Sequence, residues 1–149
     1  MNIFNEDFQD FISALNNNEV EYILVGGYSV ILHGYSRTTG DLDIWVNKEK
    51  ENYFKLVKAF KEFKMPVFDM TENNFLKNPE LNVFTFGRPP SAIDIMTDVK
   101  GLHFKEALKT SQIIEAGSLK VRVIGLNQLL KAKRAAGRHR DLDDIDNLS

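Results

Sequence analysis

Two aspartates flank a leucine in the run Asp41-Leu42-Asp43-Ile44. On a strand alternate side chains share a face, so the two carboxylates would project together while Leu42, Ile44 and Val46 turn to the core. Carboxylates side by side repel, and each resists ionising unless a cation lies between them. Oxygen-only donors suit Mg²⁺ or Mn²⁺; the plain alternative is a solvated strand end. A third acid, Asp94, stands in Ile93-Asp94-Ile95, between β-branched neighbours where an unpaired buried charge is costly. If its strand lies beside that of Asp41 and Asp43, the three acids converge on one point and can hold one or two divalent ions carrying a triphosphate. Two such ions serve in-line phosphoryl chemistry, one activating an attacking hydroxyl and the other steadying pyrophosphate.

Other residues of the chain have chemistry that suits an anion. Gly26-Gly27 falls between an apolar run and a helical pattern, where backbone can approach a ligand closely and helix N–H groups stand free. A tight turn with positive φ would need the same residues. Ser29 can give its hydroxyl to a phosphate or cap the helix start. Arg37 and Thr38 precede the acid pair closely enough to meet a phosphate, Arg37 in bidentate fashion, or they occupy an exposed loop. Lys133 lies seven residues after Leu126, in line with the apolar stripe of Leu126, Leu129 and Leu130, so its ammonium either snorkels outward or reaches an anion in a cleft. Lys131, Lys133, Arg134, Arg138 and Arg140 crowd one short stretch, a solvated face or a wall that receives phosphates. His33 reads as a helix-end or packing residue, and His103 and His139 have no companion at ligand spacing. Trp45 shares the strand face of the acids, bordering a pocket or packing structurally. Asp69, Glu72 and Asp98 read as surface or turn residues.

The elements that must position these groups follow from periodicity. Phe4, Phe8, Phe11, Ile12 and Leu15 form one helical stripe, stopped by Asn16-Asn17-Asn18. Tyr22 to Val25 predicts a buried strand, Tyr28 to His33 a short helix closed by Gly34, and Asp41 to Val46 a second strand. Asn47 is placed to cap a helix whose buried stripe is Tyr53, Leu56, Val57 and Phe60. Asn82 to Phe86 and Ala92 to Met96 predict antiparallel strands, and Ile113 to Ile124 a hairpin around Gly117-Ser118. Leu126 to Ala136 is a helix ended by Gly137, followed by a last one from Asp141 to Leu148. This order predicts an α/β chain of α+β type: a mixed, mostly antiparallel sheet flanked by helices. With no linker or repeat visible, residues 1–149 are expected to form one domain, ending in a short helical segment over 126–149.

Composition removes several classes. Apolar residues make up 43 % and charged residues 27 % of the chain, as in an ordinary globular protein. The longest apolar runs fall far short of the roughly 20 residues that a bilayer requires, so no membrane role is expected. The first residues lack the basic and apolar parts of a signal peptide, which points to a cytoplasmic protein. Cysteine is absent, excluding thiol nucleophiles and cysteine–zinc sites, and the net charge of −2 does not suggest bulk attraction to nucleic acid.

Taken together, Ile23-Leu24-Val25-Gly26-Gly27, the thirteen residues Tyr28 to Gly40, then Asp41-Leu42-Asp43-Ile44, resemble the signature of the nucleotidyltransferase superfamily, with Asp94 matching its third acid. That superfamily includes polymerase β, the kanamycin and lincosamide nucleotidyltransferases and the CCA-adding enzymes. Tyr28-Ser29-Val30, His33-Gly34, Arg37-Thr38, Ile93-Asp94-Ile95-Met96-Thr97 and Lys133 to Arg138 extend the likeness to small bacterial and archaeal proteins similar to the AbiEii toxin group. The resemblance implies a nucleotidyltransferase fold and metal-dependent transfer of a nucleoside monophosphate from an NTP to a hydroxyl acceptor, with release of pyrophosphate. It implies that Asp41 and Asp43 hold Mg²⁺ (or Mn²⁺) and the triphosphate. Asp94 would hold a second ion and assist deprotonation of the acceptor. Gly26, Gly27, Ser29, Arg37 and Thr38 would bind the nucleotide, and Lys133 would offset developing charge. Lys133, Arg140-Asp141 and Asp144 would match the lysine and Arg-Asp…Asp segment of the AbiEii-like proteins. The acceptor, whether a small molecule, a protein or an RNA end, is left open. Larger relatives carry a further helical domain where 25 residues follow Ile124 here, implying a pocket wall that is thin or comes from a protein partner or a second copy. A toxin–antitoxin component acting through its partner, or a plain nucleotide-binding module, are the alternatives.

Overall fold

Asn5 starts the first helix by accepting a hydrogen bond from the Phe8 amide at 2.8 Å, so α1 runs Glu6–Asn17 and lays Phe8, Phe11, Ile12 and Leu15 into the core. The protein is described by a computed structural model over residues 3–148. After α1 come β1 (Tyr22–Val25), α2 (Gly26–Leu32), β2 (Leu42–Val46), α3 (Lys50–Glu62) and α4 (Glu72–Lys77). The chain continues with β3 (Val83–Phe86), β4 (Ile93–Met96), α5 (Phe104–Thr110), β5 (Gln112–Ala116), β6 (Leu119–Val123), α6 (Leu126–Ala136) and α7 (His139–Leu148).

The strands form one six-stranded sheet in the order β3-β4-β2-β1-β6-β5. Pairs β3/β4, β2/β1 and β6/β5 are antiparallel, while β4/β2 and β1/β6 are parallel, so the sheet is mixed with antiparallel pairs in the majority. Register partners share a face. Phe84, Phe86, Ile93, Ile95, Leu42 and Ile44 therefore occupy one face, all buried. Phe60 of α3 bridges this face to α1, meeting Phe86 with ring centroids 4.7 Å apart and Phe11 at 5.5 Å. The opposite face carries Val83, Thr85, Asp94, Met96, Asp43 and Trp45, and its polar members make up the candidate site. Among the described residues no helix is long and apolar enough to cross a membrane.

Several boundaries differ from expectation for local reasons. The glycine pair is the first turn of α2 rather than a loop before it. β2 begins at Leu42, leaving Asp41 outside the ladder. Asn47 does not cap α3; its amide reaches Glu21 Oε1 at 2.7 Å while its carbonyl accepts from Asn52 at 2.9 Å. Helix α4, unforeseen, starts where Thr71 Oγ1 accepts from the Asn74 amide at 3.1 Å. Helix α5 was likewise not foreseen, and its Phe104 packs edge-on against Trp45 at 5.2 Å. Trp45 is thus a buried packing residue. Gly137 ends α6 in the left-handed region, φ +65°, and α7 follows from His139, two residues before its expected start.

Candidate active site

A single row of register partners crosses four strands: Val25 lies opposite Asp43, Asp43 opposite Asp94, and Asp94 opposite Thr85. Neighbouring strands are about 4.8 Å apart, so the two carboxylates meet directly over the middle of the row. Asp94 Oδ1 accepts a hydrogen bond from Thr85 Oγ1 at 2.7 Å. Asp43 is half-buried, and burial is the largest influence on its carboxyl. The charge of Asp94, a hydrogen bond shared with it and the charge of Asp41 add to that effect, whereas Lys133 opposes it. Together they push Asp43 up to about 7.

Gly26 adopts φ +70°, and a Cβ there would run into the Asp43 carboxylate. A Cβ on Gly27 would meet the Thr39 side chain, with Arg37 Nη1 3.4 Å away. The close approach that the glycines permit is thus first of all an approach of protein to protein: one admits the acid, the other seats the segment before β2. Ser29 is fully buried and donates its hydroxyl to the Gly26 carbonyl at 2.6 Å, so that proton is taken by the helix turn and not offered to a phosphate. Thr38 is exposed, its carbonyl accepting from Arg37 at 3.0 Å. His33 meets the Ile124 carbonyl at 2.6 Å, a helix-end contact.

Asp41 departs from the expected trio. It sits exposed in the bend ahead of β2, where strand alternation no longer governs its direction, and it acts on Asp43 through charge. Among the described residues no group of three or more histidine, aspartate or glutamate side chains is gathered closely enough to hold a metal ion. Of the three acids expected to converge, only Asp43 and Asp94 are register partners; Asp41 lies outside the ladder. The pair suits a hard divalent cation in kind: its donors are carboxylate oxygens, they are adjacent, and their mutual repulsion favours added positive charge.

A second cluster faces the acids from the C-terminal helices. Lys133 is 7 % exposed, and its Nζ lies 3.2 Å from Asp141 Oδ1 and 3.1 Å from Asp144 Oδ2, both carboxylates being fully buried. Arg37 Nε lies 3.0 Å from Asp144 Oδ1, and its Nη2 donates to Asp144 Oδ2 at 3.2 Å. The partner of Arg37 is therefore a carboxylate of the protein itself, met by one hydrogen bond and one close charge contact. Arg138 grips Asp141 through Nε at 2.6 Å and Nη2 at 3.2 Å, and its backbone amide bonds the same carboxylate at 3.1 Å. Burial alone would push Asp141 up, but the hydrogen bonds from Arg138 and Lys133 outweigh it and hold the carboxyl below its ordinary value. Arg140 is exposed and makes no ion pair among the described residues, so Arg138, not the arginine adjoining Asp141, completes the cluster. Lys131 and Arg134 are also exposed, outside it.

Between the clusters lies a cavity of about 300 Å³, lined on its polar side by Gly26, Asp43, Asp94, Lys133 and Arg138. A larger recess of about 710 Å³, beside Asp7, Asp10, Glu62 and Arg88, holds none of the acids of the row. Sequence reasoning missed Thr85 and Thr39. Thr85 becomes visible only through the β3/β4 register, and Thr39 only through the fold of its segment over Gly27.

A profile of the family described as "nucleotidyltransferase of unknown function (DUF6036)" matches residues 6–149. The fold is similar to the crystal structure of a Thermotoga maritima protein provisionally named a nucleotidyltransferase. The two share 16 % identity with a TM-score of 0.58, over 94 % of this chain and 88 % of that one. No curated protein matches the sequence.

Proposed function

The chain belongs to the DUF6036 nucleotidyltransferase family, and on that premise we propose that it moves a nucleoside monophosphate from an NTP to an acceptor hydroxyl, releasing pyrophosphate. The observation that carries this reading is the Asp43–Asp94 pair, set side by side by the sheet, in which Asp43 is raised toward neutral pH and lies against a glycine whose missing side chain makes room for it.

Asp43 and Asp94, with Asp41 beside them, would hold Mg²⁺ or Mn²⁺; when bound, such an ion supplies positive charge to the phosphates and raises the acidity of the acceptor hydroxyl. The chain's own groups do the rest. The acceptor oxygen bonds to the α-phosphorus as the bond from that phosphorus to pyrophosphate breaks, and the hydroxyl proton passes to Asp94. Thr85 keeps Asp94 Oδ1 in place through its 2.7 Å hydrogen bond. The first turn of α2 and Gly26-Gly27 lie at the end of the row where the β- and γ-phosphates would be held. Lys133 stands near enough to Asp43 to act on its charge, and Arg37 is fixed over Gly27; together they set the positive side of the site. The AbiEii-like refinement is supported by Lys133, Asp141 and Asp144 meeting in one cluster.

The test is pyrophosphate release from each of the four NTPs with Mg²⁺, with cell extract as acceptor source. Turnover by the native protein, abolished in Asp43→Asn with its fold intact, supports the reading; equal turnover by both proteins overturns it.

A further inference from the structure

In-line transfer requires the attacking and leaving oxygens to stand on opposite sides of the phosphorus. The row Val25–Asp43–Asp94–Thr85 gives that requirement a direction in this fold. The glycine turn continues from Val25 at one end, and the acids occupy the middle. The acceptor must then enter over the other end, above β3 and β4. The cavity extends to that side, where its walls change character: Val83, Met96 and Val99 face Leu129 and Ala132 of α6. One charged group breaks this apolar lining. Lys100, in the turn after β4, is exposed and makes no ion pair among the described residues, whereas Lys133 and Arg138, the other cations at the cavity, are both tied to carboxylates.

We propose that the space over β3 and β4 is the acceptor subsite and that it takes a compact hydroxyl compound with an apolar body and an anionic group, the body lying against Val83, Met96 and Val99 and the anion on Lys100. This inference rests on the nucleotidyl-transfer reading and adds to it the class of acceptor. The whole cavity is about 300 Å³ and the space over β3 and β4 is one part of it, so its occupant must be compact. Among the described residues lining the cavity, Lys100 is the cation without an ion pair and so can meet that charge. Thr85, already donating to Asp94, keeps the proton-accepting carboxylate turned toward the incoming hydroxyl.

The test compares mandelate with benzyl alcohol, two aromatic alcohols that differ in a carboxylate. Binding to the full chain is measured by ligand-observed NMR, with and without Mg²⁺ and a non-hydrolysable NTP analogue. The expected result is at least tenfold tighter binding of mandelate in either condition. That preference falls at least tenfold in Lys100→Gln and is retained in Lys100→Arg. Equal binding of the two probes, or a preference that survives in Lys100→Gln, overturns the assignment. Binding of the analogue itself is scored separately: its failure counts against the nucleotide reading, while the probe preference still decides the subsite. Incubation with α-labelled NTP and fractionated extract adds a second arm. Label in the small-molecule fraction supports a compact acceptor, and label on RNA or protein alone overturns it.

Discussion

Replacing Lys133 with methionine removes one ammonium and leaves two fully buried carboxylates each short of a partner. The native contacts are 3.2 Å to Asp141 and 3.1 Å to Asp144. Breaking a buried ion pair costs about 3–5 kcal/mol when the stranded charge has nothing else. Here Asp141 keeps Arg138 and Asp144 keeps Arg37, and methionine retains most of the packing of the lysine stem, so the expected loss is about 2–3 kcal/mol. For a chain of 149 residues that corresponds to a fall in Tm of roughly 5–10 °C. Urea denaturation at pH 7 followed by circular dichroism gives the loss directly. The pH dependence supplies a sharper check. Asp141 has its carboxyl lowered in the folded state, so its stabilising contribution is complete above its unfolded value and disappears as pH falls through the folded one. The gap between native and Lys133→Met proteins should therefore narrow below about pH 4. A loss under about 0.5 kcal/mol, or a gap unchanged at pH 3, would refute the view that Lys133 binds α6 to α7.

Asp43→Asn should behave in the opposite sense. A raised carboxyl contributes stability fully present below its unfolded value and lost as pH rises through about 7. The asparagine variant should match the native protein at pH 4 and exceed it by about 1–3 kcal/mol at pH 8, while losing NTP turnover; equal stability at pH 8 contradicts the close apposition of Asp43 and Asp94. Gly26→Ala must place a side chain at φ +70° against the Asp43 carboxylate, so a loss of about 2–4 kcal/mol and of nucleotide turnover is expected in thermal melts and pyrophosphate assays. Thr85→Val should lower kcat with little change in NTP KM, whereas a purely structural role would leave kcat intact. Phe11→Ala removes the ring joining α1 to Phe60 and Phe63, with an expected cost of about 3–5 kcal/mol in urea denaturation.

The sheet was legible wherever side-chain pattern and turn chemistry agreed. Leu42, Ile44 and Val46 alternate cleanly, and Gly117-Ser118 marks its hairpin, so β2, β5 and β6 could be read from the residues. Helices α4 and α5 could not, because Glu72–Lys77 and Phe104–Thr110 are too short to repeat a helical stripe. The acids were legible as types but not in direction. Asp94 was found because an acid between two isoleucines has no packing reason, and β2/β4 pairing puts it opposite Asp43. Asp41 was assigned to the same face, yet the ladder starts one residue later and leaves it in a bend. From the residues alone Arg37 and Lys133 read either as anion ligands or as solvated cations. The family resemblance groups Lys133 with Asp141 and Asp144, but the pairing of Arg37 with Asp144, far along the chain, is invisible to local spacing.

The bond between Arg37 and Asp144 joins residues 107 positions apart. During synthesis the glycine turn, the acids and Lys133 all leave the ribosome before α7 does, so the growing chain holds a half-built site with its cations unneutralised. All six strands precede α7 in the chain, whereas the carboxylates that hold Arg37 and Lys133 lie within it. A chain cut before residue 139 would thus keep every strand and lose both of those anchors.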